Sequence, residues 1–351
     1  MTGSGEQPLL SVRHLVKDFT LKSKAGEFGR RVLRAVDDVS FDLAPGTVFG
    51  LVGESGCGKS TTARCVLRLI EPTSGEILYK GEDLTAKSHN EMRQLRKELQ
   101  MVFQDPYSSL HPRRRIRQTI AEPMIVQGTG QKEALARVPE LMRTVQLDPR
   151  RADAYPHEFS GGQRQRIGIA RALSVDPELL VLDEPLSALD VSVQADIINL
   201  LQRLQAELRL AFVFISHNLS VVRYLGGRVG VMYLGQIVET GDAEDVLARP
   251  AHPYTKALLS AAPVPDPQAE RAKQQIVLGG EVPSALDPPS GCRFHPRCWL
   301  ARDICKTEAP ELTDRGNGHP VACHFAAEAV TDHRAHVDLT AAATAGTGTA
   351  E

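Results

Sequence analysis

A chain of 351 residues with 42% hydrophobic and 24% charged residues has the composition of a globular protein and room for a large domain plus a smaller one. An apolar run that spans a bilayer needs about 18 residues, and no run in this sequence approaches that length. Any membrane role is therefore expected to be peripheral. The 41 Lys and Arg residues against 43 Asp and Glu residues leave a net charge of -2, which argues against nucleic acid as a general partner.

Residues 1–8 are predicted to be disordered, and they lack the basic and apolar regions of a secretory signal, so we expect a cytoplasmic protein. From Leu9 the chain alternates as a strand does, and Phe19 lies near its end. Phe19 is placed to stack on an adenine ring or simply to fill the core. A polar loop is predicted at 22–31, and a second strand at Ala35–Leu43.

A glycine-rich loop follows the apolar run Val48–Val52 and precedes a helix predicted at Ser60–Leu69. Gly53, Gly58, Lys59 and Ser60 fit G-x-x-x-x-G-K-[ST], in which backbone N–H groups wrap a phosphate. Lys59 is expected to reach the β- and γ-phosphates, and the hydroxyl of Ser60 to bind Mg²⁺. A chance Lys-Ser after a glycine-rich turn is the alternative, but the strand before and the helix after favour the phosphate loop.

Two weaker signals lie between this loop and the next buried strand. A strand is predicted to end at Gln104, where its amide would meet the edge of the sheet that holds the phosphate loop. Residues 113–176 are predicted to be mainly helical. Within them, Ser160 is a natural N-cap of a helix that runs to Leu173, and Gly161 and Gly162 allow close backbone approach. That helix start is either a second anion site or a plain capped helix.

The run Leu179–Leu182 is typical of a strand buried in a parallel sheet, and it ends in Asp183 and Glu184. The negative charge of two adjacent carboxylates at the end of a buried strand needs to be compensated by a positive charge. We predict that Asp183 faces Mg²⁺ and that Glu184 faces an attacking water, the alternative being a strand that simply ends in acids.

A further helix is predicted from Ser192 to about Leu208, and the next strand, Ala211–Ile215, ends in Ser216 and His217. A lone His is more often structural. Because several strands end in polar groups at what should be one edge of the sheet, we nevertheless predict that His217 contacts the γ-phosphate. A hairpin at 228–240 closes the domain near residue 250.

Together these motifs resemble the ATP-binding subunits of ABC transporters over residues 9–250, because Ser160–Gln163 lies shortly before Leu179–Glu184. The resemblance implies an α/β P-loop NTPase with a RecA-like core, an antiparallel β subdomain and a helical signature subdomain at about 105–177. A small Cys-rich C-terminal extension follows. Phe159, where the commonest signature has leucine, is an apolar replacement.

The resemblance also implies a role for each motif residue. The catalytic residues would be Glu184 as base and His217 as switch histidine. The ATP-binding residues would be Phe19 at adenine, the Walker A residues Gly53, Glu54, Ser55, Gly56, Cys57, Gly58, Lys59, Ser60 and Thr61, and the Q-loop residue Gln104. The Mg²⁺ ligands would be Ser60, Gln104 and the Walker B residue Asp183.

In that family two ATPase subunits enclose two nucleotides, and each ATP lies between one subunit's Walker A loop and the other's signature. The resemblance therefore implies that Ser160, Gly161, Gly162 and Gln163 complete the ATP site of a partner subunit. The resemblance also implies a D-loop that begins at Ser187 and ends at Asp190.

The C-terminal part, residues 251–328, resembles the extension of oligopeptide and dipeptide importer ATPases in its segments 250–263, 280–284 and 291–298. This implies ATP hydrolysis that powers peptide import at the cytoplasmic face of the membrane. The implied partners are a second, non-identical ATPase subunit, two transmembrane permeases and an extracytoplasmic binding protein. Nickel or sugar cargo, an exporter, and a non-transport ABC ATPase are the alternatives.

Four cysteines crowd into this extension, namely Cys292, Cys298, Cys305 and Cys323. Their spacing contains no C-x-x-C of a zinc ribbon, and the resemblance implies a [4Fe-4S] cluster. Zinc, with His295, His319 and His324 as spare ligands, and uncommitted thiols remain open. Residues 329–351 are predicted to be a flexible tail.

Overall fold

The computed structural model of the protein describes residues 7–21, 31–105, 109–262, 275–314 and 318–331. Most of the predicted disordered start, most of the predicted polar loop and most of the predicted tail lie outside these ranges. Within them, no helix combines the length and the apolar character that crossing a bilayer requires.

Ten strands lie in the described ranges. In chain order they are β1 (Leu10–Leu21), β2 (Arg31–Leu43), β3 (Val48–Val52), β4 (Ser74–Tyr79), β5 (Glu82–Asp83), β6 (Leu99–Val102), β7 (Leu179–Asp183), β8 (Ala211–Ser216), β9 (Arg228–Tyr233) and β10 (Gln236–Asp242).

The described α-helices divide into those before and those after residue 210. The first set is α1 (Lys59–Val66), α2 (His89–Leu95), α3 (Ile116–Val126), α4 (Gln131–Thr144), α5 (Gly161–Leu173) and α6 (Val191–Leu208). The second set is α7 (Leu219–Leu225), α8 (Ala243–Ala248), α9 (Pro253–Ala261), α10 (Asp303–Thr307) and α11 (Ala326–Thr331).

β1 lies inside a four-stranded antiparallel sheet with the order β2-β1-β4-β5. Leu10 pairs with Leu43 on β2 and with Tyr79 on β4. The apolar residues Leu10, Val12 and Leu15 are buried, whereas Arg13 and His14 between them are exposed. This sheet is the antiparallel subdomain that the family resemblance implied.

The second sheet has six strands in the order β10-β9-β3-β8-β7-β6. Its strands pair in parallel except for β10, which pairs antiparallel with β9. Every residue of β3, β7 and β8 is buried, which explains why these strands are continuous apolar runs. The α/β prediction is confirmed.

The two faces of this sheet bury different sets of side chains. Phe212 and Phe214 of β8 belong to a core shared with α3, α5 and α6. Val213 and Ile215, which alternate with them, belong to a core shared with α1 and the antiparallel sheet. The sheet is therefore covered on both faces, because successive residues of a strand point to opposite sides. The phosphate loop, which follows β3, lies between these two packed layers.

The structure corrects four predicted boundaries. α1 ends at Val66 rather than at Leu69, since Arg68 adopts a left-handed φ of 47°. β6 ends at Val102, so Gln104 lies in the bend after the strand and not at its end. β2 begins at Arg31 rather than at Ala35, so it includes the last residue of the predicted polar loop. Residues 329–331, predicted as tail, belong to α11.

The hydrophobic core continues across residue 250, where the first domain was predicted to close. Tyr254 and Leu259 of α9 and Phe294 of the extension lie in the same buried cluster as α3, α5 and α6. Val321 forms isolated bridges with Glu239 of β10 and with Thr313. The extension is therefore packed onto the sheet and its helices.

Candidate functional site

The site is built at the carboxyl edge of the six-stranded sheet. β3, β8 and β7 are neighbours and run parallel, so the residues that follow them meet at one edge. These residues are the phosphate loop after β3, Glu184 after β7 and His217 after β8.

The loop between β3 and α1 requires glycine at two positions where neighbouring backbone approaches closely. A Cβ on Gly53 would lie 2.2 Å from the carbonyl oxygen of Met232, and one on Gly58 would lie 2.2 Å from that of Ala35. Gly58 also has a φ of 110°, a conformation that other residues rarely adopt. The loop is thus held in a fixed curve by β9 and β2.

Lys59 begins α1 and has a buried side chain, 3% exposed. Its Nζ donates hydrogen bonds to the carbonyl oxygens of Gly53 at 2.8 Å and Glu54 at 2.9 Å. The ammonium group therefore lies inside the loop, where a phosphate would be wrapped.

Ser60 and Asp183 meet across the sheet edge. The Ser60 hydroxyl donates a 2.7 Å hydrogen bond to Oδ1 of Asp183, which is only 1% exposed. Burial raises the pKa of the Asp183 carboxyl, although the bond from Ser60 acts in the opposite direction. A desolvated carboxylate beside a hydroxyl is a pair of oxygen ligands of the type that Mg²⁺ prefers, so these residues fit the predicted ion.

Three side chains from different elements converge on Glu184. Lys59 Nζ lies 3.7 Å from Oε1 of Glu184, and His217 Nδ1 lies 3.8 Å from Oε2. Gln104 Nε2 donates a 2.9 Å hydrogen bond to Oε2. Glu184 itself has a left-handed φ of 44° and a side chain that is 13% exposed. Lys59, Gln104 and His217, which were each predicted to lie at the nucleotide, are thus brought together around the carboxylate of Glu184.

A cavity of about 410 Å³ opens beside this carboxylate. Its walls include Glu184, Ser187 and His217, together with Leu258 and Ala261 of α9. The C-terminal extension therefore forms part of the wall next to the predicted catalytic residues.

Phe19 is half-buried on β1, where it pairs with Leu33 of β2. Lys17 Nζ lies 5.0 Å from the centre of the Phe19 ring, within range of a cation–π contact. The Lys17 ammonium thus lies close to the Phe19 ring. The predicted contact of this ring with adenine stays a prediction.

The predicted signature residues start α5 rather than joining the Glu184 cluster. The Oγ of Ser160, which is exposed, accepts the N–H of Gln163 at 3.3 Å, and Gln163 Oε1 accepts the N–H of Ser160 at 3.1 Å. A Cβ on Gly162 would lie 2.3 Å from Val193 Cγ1. Glycine at this position lets α5 pack directly against α6.

The predicted D-loop lies between Glu184 and α6. Ser187 Oγ donates a 3.1 Å hydrogen bond to the carbonyl oxygen of Glu184, and Asp190 is the N-cap residue of α6. Gln194 of α6 donates to the carbonyl oxygens of Leu186 and Leu189. These bonds tie the segment after Glu184 to the helix that follows.

The four cysteines of the extension lie near one another. The N–H of Cys292 donates a 2.8 Å hydrogen bond to the carbonyl oxygen of Cys305. Burial raises the pKa of Cys298 to about 12, and the nearby thiols of Cys323, Cys292 and Cys305 add to the rise. Among the described residues, however, no three His, Cys, Asp or Glu side chains are arranged to hold a metal ion. The prediction of a metal cluster is therefore not confirmed.

The contacts between the extension and the phosphate loop are not indicated by the sequence. Tyr254 Oη accepts a 2.8 Å hydrogen bond from the N–H of Glu54, and Arg297 binds the Glu54 carboxylate. Arg293 likewise pairs with Asp37 of β2. Tyr254 and Arg293 lie in segments that the resemblance singled out, but their partners are more than 190 residues away and no local pattern indicates them.

Two family matches cover much of the chain. Residues 36–187 match the ABC transporter family, and residues 238–305 match the oligopeptide/dipeptide transporter C-terminal region. The oligopeptide transport ATP-binding protein AppF of Bacillus subtilis is 50% identical over 93% of this chain and 99% of its own length. A putative peptide import ATP-binding protein of Brucella ovis is 51% identical over 91% of this chain and 98% of its own length.

Solved structures of ABC transporter proteins are also similar to this chain, at lower sequence identity. The dimeric structure of MJ0796, a bacterial ABC transporter cassette, is 26% identical with a TM-score of 0.59, over 67% of this chain and 98% of that one. The structure of cbiO1 from Clostridium perfringens, part of the ABC transporter complex cbiONQ, is 26% identical with a TM-score of 0.59, over 69% of this chain and 92% of that one.

Proposed function

This chain belongs to the ABC transporter family of oligopeptide transport ATP-binding proteins, and on that premise we propose that it hydrolyses ATP to power the import of oligopeptides or dipeptides. The observation that carries the proposal is the convergence of Lys59, Gln104 and His217 on Glu184 beside a phosphate loop. Those groups supply what phosphoryl transfer to water needs, namely positive charge at the phosphates and a carboxylate at the nucleophile.

In this proposal the loop from Gly53 to Thr61 binds the phosphates of ATP. Its glycines leave the backbone N–H groups accessible, and the first turn of α1 adds the positive end of its dipole. The Lys59 ammonium would exchange its carbonyl partners in the loop for oxygens of the β- and γ-phosphates.

We propose that Ser60 and Asp183 hold Mg²⁺, with Gln104 as the third side chain. Bound Mg²⁺ neutralises charge on the β- and γ-phosphate oxygens during transfer. Ser60 contributes a hydroxyl and Asp183 a carboxylate, and their 2.7 Å hydrogen bond shows that the two groups share one small volume.

Glu184 is proposed to be the general base. The support is that Glu184 follows β7 at the edge of the sheet that holds the phosphate loop, from which its carboxylate would accept a proton from water that attacks the γ-phosphate. The hydrogen bond from Gln104 would orient Oε2, and His217, whose Nδ1 lies 3.8 Å from Oε2, would contact the γ-phosphate.

We further propose that the signature residues Ser160–Gln163 act on the ATP of a second ATPase subunit. This is supported by the exposed position of Ser160 at the start of α5 and by the dimeric structure of the related cassette. Ser187 and Asp190 would lie at the same subunit boundary. Phe19 would stack on adenine, which its half-buried ring on β1 allows.

The remaining partners are proposed to be two membrane permeases and an extracytoplasmic binding protein, with this chain at the cytoplasmic face. A groove of about 270 Å³ beside β6, lined by Leu69 and Phe103, exposes apolar surface suited to a permease. Residues 9–250 would form the ATPase domain, with 105–177 as its helical subdomain and 251–328 as the extension.

For the extension we propose that Cys292, Cys298, Cys305 and Cys323 bind a [4Fe-4S] cluster, with zinc as the alternative. The support is chemical, because the thiols of Cys323, Cys292 and Cys305 lie near enough to Cys298 to raise its pKa, and such a cluster takes four thiolates.

The test of the transport function is uptake of a labelled tripeptide by cells that lack this chain and carry either the wild-type or a Lys59→Ala variant. The proposal predicts that only the wild-type chain restores uptake. If uptake of nickel or a sugar is restored instead, the cargo assignment is wrong. If no uptake depends on the chain, the transport function is wrong.

A further inference from the structure

Glu54, the second residue of the phosphate loop, has all of its polar groups engaged. Its N–H donates a 2.8 Å hydrogen bond to Tyr254 Oη, and its carbonyl oxygen accepts one from Lys59 Nζ at 2.9 Å. Its carboxylate oxygens accept from Arg297 Nη1 at 2.9 Å and Nη2 at 3.1 Å. Two of these three partners, Tyr254 and Arg297, come from beyond residue 250.

The ion pair of Glu54 with Arg297 is more buried than the surface pairs of this protein, some of which, such as Arg34 with Asp18, are also bidentate. It is bidentate, and the Arg297 side chain is only 8% exposed. The planar guanidinium therefore fixes the direction of the Glu54 carboxylate as well as its distance. By contrast, Arg302 in the same extension pairs with Glu328 on the surface, where both side chains are at least half exposed.

Aromatic packing holds both groups that contact Glu54. The ring of Tyr254 lies 4.7 Å from Tyr233 of β9 and 5.5 Å from Phe294, measured between ring centres. Phe294 directly precedes the short turn of 3₁₀ helix, His295–Arg297, that presents Arg297. Tyr254 is thus packed against the main sheet, and Arg297 is linked to the same aromatic cluster through Phe294.

A continuous chain of contacts therefore leads from the extension to the lysine of the phosphate loop. Arg297 and Tyr254 hold the side chain and the N–H of Glu54, and the carbonyl of the same residue bonds to the Lys59 ammonium. Moving Glu54 would move one of the two carbonyl groups that hold Lys59.

We propose that Arg297 and Tyr254 are positioning residues of the nucleotide site, which hold Glu54 so that the phosphate loop and Lys59 are preorganised for ATP. This inference rests on the proposed function as an ATPase. It makes the extension a part of the nucleotide site, so that its loss or displacement weakens ATP binding.

A purely stabilising salt bridge would give a different result from a positioning pair. A stabilising pair affects the melting temperature of the protein and leaves the nucleotide affinity of the folded protein unchanged. A positioning pair changes the dissociation constant for a nucleotide and the KM for ATP, because the loop is no longer held in its binding geometry.

The experiment measures binding of a fluorescent ATP analogue with Mg²⁺ to the full chain, together with KM, kcat and the melting temperature. Arg297→Gln is expected to weaken binding about tenfold, because a charge-assisted bidentate contact is lost. Arg297→Lys should restore part of the affinity. Tyr254→Phe, which keeps the ring and loses Oη, should weaken binding less than Arg297→Gln. Arg302→Gln is the matched control and should bind as the wild type does.

Coupling through Glu54 is tested by the double variant. If Arg297 acts through the Glu54 carboxylate, the two substitutions are not additive. The double variant Glu54→Gln with Arg297→Gln then binds the ATP analogue no more weakly than whichever single variant has the larger dissociation constant. The inference is overturned if folded Arg297→Gln and Tyr254→Phe bind the analogue as the wild type does. If Arg297→Gln does not fold, Arg297→Lys and Tyr254→Phe decide by the same criterion. A wild-type chain that binds no MgATP would overturn the proposed function along with this inference.

Discussion

Gln104 and Glu184 are 80 residues apart in the chain, yet Nε2 of Gln104 donates a 2.9 Å hydrogen bond to Oε2 of Glu184. Gln104 follows β6 and Glu184 follows β7, and these strands are parallel neighbours. Their loops therefore leave the sheet at the same edge, which is why a residue with no local link to Glu184 contacts its carboxylate. The proposed catalytic role of Glu184 therefore depends on residues that meet at this edge of the sheet.

Loss of that hydrogen bond should slow hydrolysis. In Gln104→Ala the carboxylate of Glu184 loses the donor that orients Oε2, and we expect kcat for ATP hydrolysis to fall about tenfold. The measurement is steady-state phosphate release. Gln202→Ala is the control, because Gln202 is exposed and donates to the carbonyl of Tyr224. Equal rates for Gln104→Ala and the wild type would remove Gln104 from the reaction.

Asp183→Asn should separate stability from Mg²⁺ binding. Burial raises the pKa of Asp183, so the charged form is disfavoured in the folded protein and the neutral amide should raise the melting temperature. The same change removes an anionic ligand, and the Mg²⁺ concentration for half-maximal ATP hydrolysis should rise by about tenfold or more. The exposed Asp153→Asn is the control. An unchanged Mg²⁺ requirement would contradict the assignment.

His252 should make the protein less stable at mildly acidic pH. It is buried, and burial lowers its pKa to about 4 from an ordinary 6.5. As the pH falls below 6.5, the unfolded chain binds a proton that the folded one does not, so the free energy of unfolding decreases. The loss due to His252 should be about 2 kcal/mol at pH 5 relative to pH 7.5.

The matched variant for this prediction is His252→Asn. Nδ1 of His252 accepts the N–H of Tyr254 and caps α9, and an asparagine oxygen can accept the same bond without titrating. Urea unfolding at the two pH values should show a smaller loss for the variant. If both proteins lose the same stability between pH 7.5 and 5, His252 is not the group responsible.

The cysteines of the extension make a separate prediction about metal. Anaerobically purified protein should contain about four iron atoms per chain and absorb near 400 nm, as a four-thiolate cluster does. Cys298→Ser should reduce the iron content, whereas Cys65→Ser, in the buried α1, should not. Protein with zinc in place of iron would support the alternative, and protein with neither metal would contradict a metal site in the extension.

The strands around the site were predictable because their sequences are unambiguous. β3 and β7 are short continuous apolar runs, and a strand buried on both faces needs such a run. The glycine loop and Lys59 follow one run, and Asp183 and Glu184 follow the other. Their meeting at one edge of the sheet could be predicted because the residue types required at a phosphate are rare in this combination.

Other features depend on contacts that sequence spacing does not reveal. α1 ends early because Arg68 turns into a left-handed conformation, and its guanidinium donates to the carbonyl oxygens of Leu84 and Lys87. The pair of Arg297 with Glu54 spans 243 positions. Such partners are chosen by tertiary packing, in which a side chain meets whatever the fold brings near it.

The role of Glu184 is tested by phosphate release from MgATP by the wild-type chain and by Glu184→Gln, with binding of a fluorescent ATP analogue measured in parallel. We expect Glu184→Gln to bind the analogue with the wild-type dissociation constant and to release phosphate at least about a hundredfold more slowly, because a general base is lost. Phosphate release at the wild-type rate by Glu184→Gln would contradict the claim that the site gathered around Glu184 hydrolyses ATP.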